Sequence, residues 1–263
     1  MPYTLAHPAA IIPLQKLMGR RASLSALMIG SMAPDFPLFV GGVPGHFSHS
    51  AAGLLAYCLP AGLLAYLLFH LILKRPTIAL LPPAMSDRLP PDALHRWPAA
   101  PLGAVIFCIA LGALTHLAWD GFTHPDTLFA RHLPALHVLV ATVHGQPFPL
   151  YSVLQYLSSV IGLLLLAWWL LKCARAVQPR QRPRGIDIAS ADPMRIVAIG
   201  AIVAAGSIGG VAGVPAQVAS LDSFIYHLLV SGMQWSGAVW IAWCIAWHAR
   251  LTSREGRLRP ANA

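Results

Sequence analysis

Five runs of this chain are each long and apolar enough to cross the roughly 30 Å hydrocarbon core of a bilayer. They cover residues 51–73, 101–119, 150–171, 195–214 and 224–247. Unbroken apolar runs of that length satisfy their own backbone groups as helices; barrel strands are shorter and alternate in polarity. Charged residues are 10% of the 263, too few to clothe a soluble domain of this size. The expected fold class is therefore all-α: a polytopic integral membrane protein with about five full transmembrane helices. Two shorter helices, residues 8–17 and 23–33, come first and are too short to span. The "GRR" turn at Gly19–Arg21 folds them into an N-terminal hairpin that returns Asp35 to the level of His7. No basic region precedes the first apolar stretch, and Pro8 and Pro13 interrupt it, so it does not read as a signal peptide.

The formal net charge is +9. In a soluble protein that excess would suggest nucleic acid; here its distribution excludes nucleic acid as the partner. Seventeen of the eighteen Lys and Arg residues fall in connections that alternate crossings place on one side, and only Arg131 falls on the other. The positive-inside rule makes the basic side cytoplasmic. The expected setting is the plasma (inner) membrane, with the bilayer itself as partner and the C-terminus in the cytoplasm. Cys58, Cys108, Cys173 and Cys244 lie in or beside the spans without close spacing, and so form neither a disulfide framework nor a Cys-type zinc site.

Along the chain, residues 1–174 form a membrane core. Residues 175–194 are a polar cytoplasmic linker, 195–250 carry two C-terminal transmembrane helices, and 251–263 are a basic tail. A moderately apolar piece at 133–143 is expected to be an interfacial helix.

The second run closes on "GALTHLAWDGFTHP", which sets His116, Asp120 and His124 at i, i+4 and i+8. Side chains four apart on a helix share a face, so the first two can share a cation. His124 joins them if the helix reaches that far, and Pro125 ends it nearby. Imidazole with carboxylate suits zinc, manganese or iron. His7, Asp35, His46 and His49 precede the first full span on the same non-cytoplasmic side, so two sequence-distant clusters converge. Ionisable groups near membrane depth are costly and point to function. The expected metal ligands are His7, Asp35, His49, His116 and Asp120, with His46 and His124 in reserve. Taken singly, each residue also reads as a cap or a loop residue. There is no phosphate-binding loop, dinucleotide fingerprint or serine-nucleophile elbow.

The stretches "MPYTLAHPAAIIPL", "IGSMAPDF", "HSAAGLLAYCLPAGLL", "GALTHLAWDGFTH" and "LYSVLQYLSSVIGLLLL" resemble bacterial membrane proteins grouped as domain of unknown function 4184, over residues 1–174. A more distant resemblance is to membrane-bound metal-dependent hydrolases related to a LexA-regulated inner-membrane protein. Pro34-Asp35, Ser48-His49-Ser50 and Gly112 through His116 to Asp120 look like the Pro-Asp, Thr-His-Ser and Gly-x3-His-x3-Asp motifs of those hydrolases. Phe36-Pro37 stands where they carry a second acidic residue, and their His-Arg-Gly pattern is missing around His46. The resemblance implies metal-dependent hydrolysis; the expected cofactor is a divalent transition metal, zinc first, and the expected substrate a lipid or other phosphoester, the lipid following only from the site's place at the outer membrane face. Asp120 and His124 are the expected catalytic groups. Two alternatives stay open: a transporter or metal-handling protein, and a non-enzymatic membrane scaffold.

Overall fold

The computed structural model describes residues 3–19, 22–89, 100–143, 145–179, 193–218 and 220–258. Regular structure there is mostly helical: α1 (Ile11–Met18), α2 (Leu24–Met32), α3 (Ala51–Leu80), α4 (Leu102–Thr123), α5 (Leu150–Ala176), α6 (Pro193–Ala212) and α7 (Leu221–Leu258), joined by shorter helical turns. By length and composition, five of them can cross a membrane: α3, α4, α5, residues Met194–Ala212 of α6 and Leu221–Arg250 of α7. Many of their large apolar side chains, Leu164 and Ile208 among them, are exposed, as a surface facing lipid requires. Most of the 175–194 linker and the end of the tail lie outside the described residues.

Three boundaries differ from expectation. Helix α3 continues past Leu73 through Lys74 and Arg75 to Leu80, and α7 runs on to Leu258. Residues 133–143 are not an interfacial helix. Pro134–His137 is one 3₁₀ turn, and Leu139–Val143 is a strand, β1, paired antiparallel with β2, Gln146–Pro149. Valine and threonine dominate β1, and β-branched side chains favour the pleated surface over the helix. Gly145 supplies a φ of 77° beside the turn.

By contacts the chain divides into two units: Met1–Leu67 with Pro98–Cys173, and Leu68–Trp97 with Ala174–Ala263. The first is organised by close approaches of backbone to backbone. A Cβ on Gly30 would run into the Ile109 carbonyl, and one on Gly112 into the Leu27 carbonyl. Helices α2 and α4 therefore meet without intervening side chains, the small-residue packing that association within a membrane favours. Gly62 of α3 sits against the Ile109 side chain, and Gly162 of α5 sits against Ala6. Ser23 caps α2 by accepting from the Ala26 amide at 3.4 Å, and Ser50 caps α3 by accepting from Gly53 at 2.9 Å. Ala33, Leu54, Cys58 and Ala113 form a small buried core beside the polar residues described below.

In the second unit, Gly210 of α6 lies so close to the Leu228 carbonyl of α7 that a Cβ would come within 2.8 Å of it. Proline shapes α3. Pro60 and Pro76 lack an N–H and crowd the carbonyls four residues back. Each follows a widened π-helical turn, Leu54–Cys58 and Phe69–Leu73 respectively, which relieves that crowding. The carbonyl that Pro76 leaves without its helical donor, that of Ile72, accepts from His248 Nε2 at 2.9 Å.

Candidate metal centre

All five expected ligands meet in the first unit. His7 lies in the 3₁₀ segment Thr4–Ala10, and Asp35 ends the turn Ala33–Asp35 that follows α2. His49 follows the helical turn Gly45–Ser48, and His116 and Asp120 occupy successive turns of α4. The glycine contact between α2 and α4 carries His116 to the C-terminal end of α2. There its Nδ1–H donates to the Ser31 carbonyl at 2.8 Å, a carbonyl at a helix end that Pro34 helps to interrupt. His49 Nδ1–H donates to the Gly45 carbonyl at 2.9 Å. Both rings thus keep Nδ1 occupied and turn Nε2 toward the carboxylates, as backbone-anchored metal ligands do.

Two complete triangles of donor atoms result. Asp35 Oδ1, His49 Nε2 and His116 Nε2 are separated by 3.5, 3.6 and 3.2 Å. His49 Nε2, His116 Nε2 and Asp120 Oδ2 are separated by 3.2, 3.4 and 3.2 Å. A cation about 2.0–2.2 Å from tetrahedrally placed N and O ligands imposes edges of roughly 3.3–3.6 Å. His7 adds a further corner. Its ring stacks on His116 with centroids 3.6 Å apart, and its Nε2 is 3.6 Å from Asp120 Oδ1. His7 Nε2, Asp35 Oδ1 and Asp120 Oδ1 are buried and make no hydrogen bond. Buried polar atoms left in that state are rare and costly. The donor set fits a divalent transition metal: imidazole nitrogens and carboxylate oxygens converge, and three of these atoms lack a hydrogen-bond partner.

The chain matches the family model described as a domain of unknown function (DUF4184) over residues 1–250. The chain belongs to the DUF4184 family. The match covers the second unit's long helices as well as the site, beyond the 1–174 stretch whose motifs carry the resemblance. No curated protein and no solved structure matches the chain.

Two further groups complete the site. Thr4 Oγ1 donates to Asp35 Oδ2 at 2.6 Å, which orients the carboxylate so that Oδ1 faces the histidines. Helix α4 ends at Thr123, and His124 is extended (φ −129°, ψ 139°). Its Nδ1 is 3.3 Å from the Asp120 carbonyl and 3.8 Å from Asp120 Oδ1, so His124 stands beside the triangles and outside them. His46 is exposed and lines the adjoining cleft without joining the cluster. Thr4 and the Ser31 and Gly45 carbonyls carried no sequence signal: a threonine before an apolar helix and two backbone oxygens look like any others.

The metal-free electrostatics divide the histidines. Burial pushes His7 down to about 3, helped by neighbouring His116, so its ring is neutral. Burial opposes the charged form of His49 too, but the facing Asp120 and Asp35 carboxylates outweigh it and push His49 up to about 10. Burial works to raise Asp35, yet the hydrogen bond from His49 and the neighbouring His116 hold it below the ordinary carboxylate value. Burial lowers His124. Without a cation, His49 supplies the positive charge that the two carboxylates require.

The cluster opens into a cleft of about 820 Å³. Its walls are mostly apolar, with Leu38, Val43, Leu114, Leu117 and Phe129 among them, while His49, Asp120 and His124 reach it from the polar end.

Proposed function

We propose that this protein is a membrane-bound metal-dependent hydrolase whose site faces the non-cytoplasmic side of the plasma membrane. One observation carries the reading: two triangles of imidazole and carboxylate donors, buried but for the half-buried His49, with ligand-like edges, stand at the floor of an open cleft. The same reading takes the chain across the bilayer five times, with α1 and α2 as a hairpin at the site's edge and the C-terminus in the cytoplasm.

Asp35, His49, His116 and Asp120 would hold the cation, zinc first, and His7 would hold Asp120 through its second oxygen or serve as a fifth ligand. Such an ion supplies Lewis acidity and brings the pKa of water toward 7. The chain's own residues do the rest. Asp120 uses Oδ2 toward His116 and His49 and keeps Oδ1 toward His7 and His124. His124, kept neutral by burial and facing the cleft, accepts a proton and returns it to the leaving group. The apolar walls exclude competing water. The bond broken is an ester, with phosphoesters included.

The test pairs metal content with turnover. Purified wild-type protein should hold a transition metal. His116→Ala and Asp120→Ala should each weaken binding by at least about 100-fold, the upper range for losing even a supporting partner, and phosphoester hydrolysis should fall with it. His124→Ala should keep the metal and lose rate. Folded wild-type protein without metal would overturn the enzyme and the metal-handling readings together and leave a helix-tying scaffold. Metal without hydrolysis of any ester would leave metal handling.

A further inference from the structure

The cleft beside the metal centre has two ends of different chemistry. At one, His124, Asp126 and Thr127 follow the end of α4. At the other, Leu114 and Leu117 lie on α4 itself, inside a helix long and apolar enough to cross the membrane. Leu114 is six residues before Asp120, roughly 9 Å along the helix toward the bilayer interior at 1.5 Å per residue. Its side chain is 51% exposed, so this wall of the cleft is continuous with the apolar surface that α4 presents to lipid. Leu128, also a wall residue, is 68% exposed on the short helix Leu128–His132 after the polar end. A water-filled cleft for a soluble substrate does not need leucines at its rim and along a membrane helix. An alkyl chain does.

The charges are equally one-sided. Among the described residues that line the cleft there is no Lys and no Arg. Asp35 and Asp120 cancel a divalent cation, and Asp126 adds another carboxylate at the mouth. A phosphomonoester carries about −1.5 to −2 near neutral pH. It would lose water against apolar walls with no cationic partner, which is strongly unfavourable. A phosphodiester or carboxylic ester brings one negative charge or none.

We infer that the substrate is a bilayer-resident amphiphile whose ester carries at most one negative charge and whose chain lies along Leu114 and Leu117, reaching the cleft sideways from the membrane. This deepens the metal-centre reading and rests on it. In hydrolysis, water adds across the ester and the headgroup and the chain-bearing alcohol or acid separate, with no oxidant or second substrate.

The experiment is equilibrium binding to metal-loaded protein in neutral detergent, with two single-chain probes of equal chain length. Lysophosphatidylcholine, zwitterionic, should bind at least about tenfold more tightly than lysophosphatidic acid, a monoester; tenfold corresponds to about 1.4 kcal/mol. Glycerophosphocholine, the same phosphodiester without a chain, should not compete. Leu114→Trp should weaken lysophosphatidylcholine at least about tenfold with unchanged metal content, and Leu128→Trp should act in the same direction if Leu114→Trp fails to fold. Equal or tighter binding of lysophosphatidic acid overturns the charge assignment. Competition by glycerophosphocholine, or wild-type binding in both folded variants, overturns the chain assignment. Should wild-type protein hold no metal, the metal-centre reading falls, and the leucine variants in the metal-free protein still decide whether the cleft takes a chain.

Discussion

His116 and His248 perform the same local task in different units. Each donates to a backbone carbonyl near a proline: His116 to Ser31 at 2.8 Å, beside Pro34, and His248 to Ile72 at 2.9 Å, four residues before Pro76. In a membrane such carbonyls need a donor from elsewhere, because water is absent. The histidines part company in their surroundings. His116 is completely buried, with Asp35 and Asp120 within 3.6 Å of its second nitrogen. Among the described residues of the second unit, His70 is the one buried polar side chain. Repairing a helix thus takes one half-buried histidine, whereas placing two carboxylates against three imidazoles serves no backbone group. The difference separates a structural histidine from a candidate ligand, and it can be broken by experiment.

The largest effect should come from the glycines that set the two packings. Gly112→Leu places carbon where the Leu27 carbonyl now sits, and Gly210→Leu does the same against the Leu228 carbonyl. Overpacking of this kind costs about 1–3 kcal/mol, and both variants should lose comparable thermal stability. Only Gly112→Leu should also weaken metal binding, by at least about tenfold, because it pushes α4 away from Ser31 and moves His116. Titration with zinc, followed by calorimetry, measures both. Equal metal affinity in the two variants would mean that the α2–α4 contact does not position the site.

A smaller effect follows from the charge state of His49. Without metal, its pKa is pushed up to about 10 by Asp120 and Asp35. Below that value the ring carries a proton, which a cation must displace before Nε2 can bind it. Apparent zinc affinity should therefore rise with pH up to about 10 and fall about tenfold for each unit of acidification below it, with one proton released per ion bound. Zinc titrations at pH 6.5 and 7.5, in two buffers of different ionisation enthalpy, would show the slope and the proton. A flat profile would remove His49 from the ligand set and leave Asp35 with Thr4 and His116.

How far the site was legible in the sequence depends on the kind of signal. The i, i+4 spacing of His116 and Asp120 is a helix-face argument and needs no tertiary information. His7, Asp35 and His49 were legible through topology, since alternate crossings and one-sided basic residues put them at the same end. Resemblance to the DUF4184 family was visible over 1–174 and runs to residue 250. What stayed hidden rests on backbone atoms and on local competition. No residue type announces that the Ser31 or Gly45 carbonyl will orient a ring. The β1–β2 hairpin was missed because apolar content was read as an interfacial helix while the β-branched residues at 140, 142 and 143 favoured a strand. The length of α3 was underestimated because Lys74, Arg75 and Pro76 read as a loop, whereas a π-turn and a donor from α7 keep the helix continuous.

The smallest effect tests the other side of the comparison. His248→Leu removes the donor to the Ile72 carbonyl and fills the space with carbon of similar reach. Pro76 cannot supply a replacement N–H. The neighbouring Leu73 carbonyl keeps Thr77 Oγ1 at 2.7 Å, so the damage is confined to one acceptor. Interhelical hydrogen bonds in membranes average about 0.6 kcal/mol and reach about 1.7, and the variant should lose stability within that range. Trp240 Nε1, bonded to Thr77 at 3.0 Å, continues to tie α7 to α3, so the helix pair should stay folded. Zinc affinity should be unchanged, in contrast to the loss of at least about 100-fold expected for His116→Ala. A zinc titration of His248→Leu that departed from wild type by tenfold would show that the second unit supports the site after all. The distinction between a repairing and a ligating histidine would then have to be redrawn.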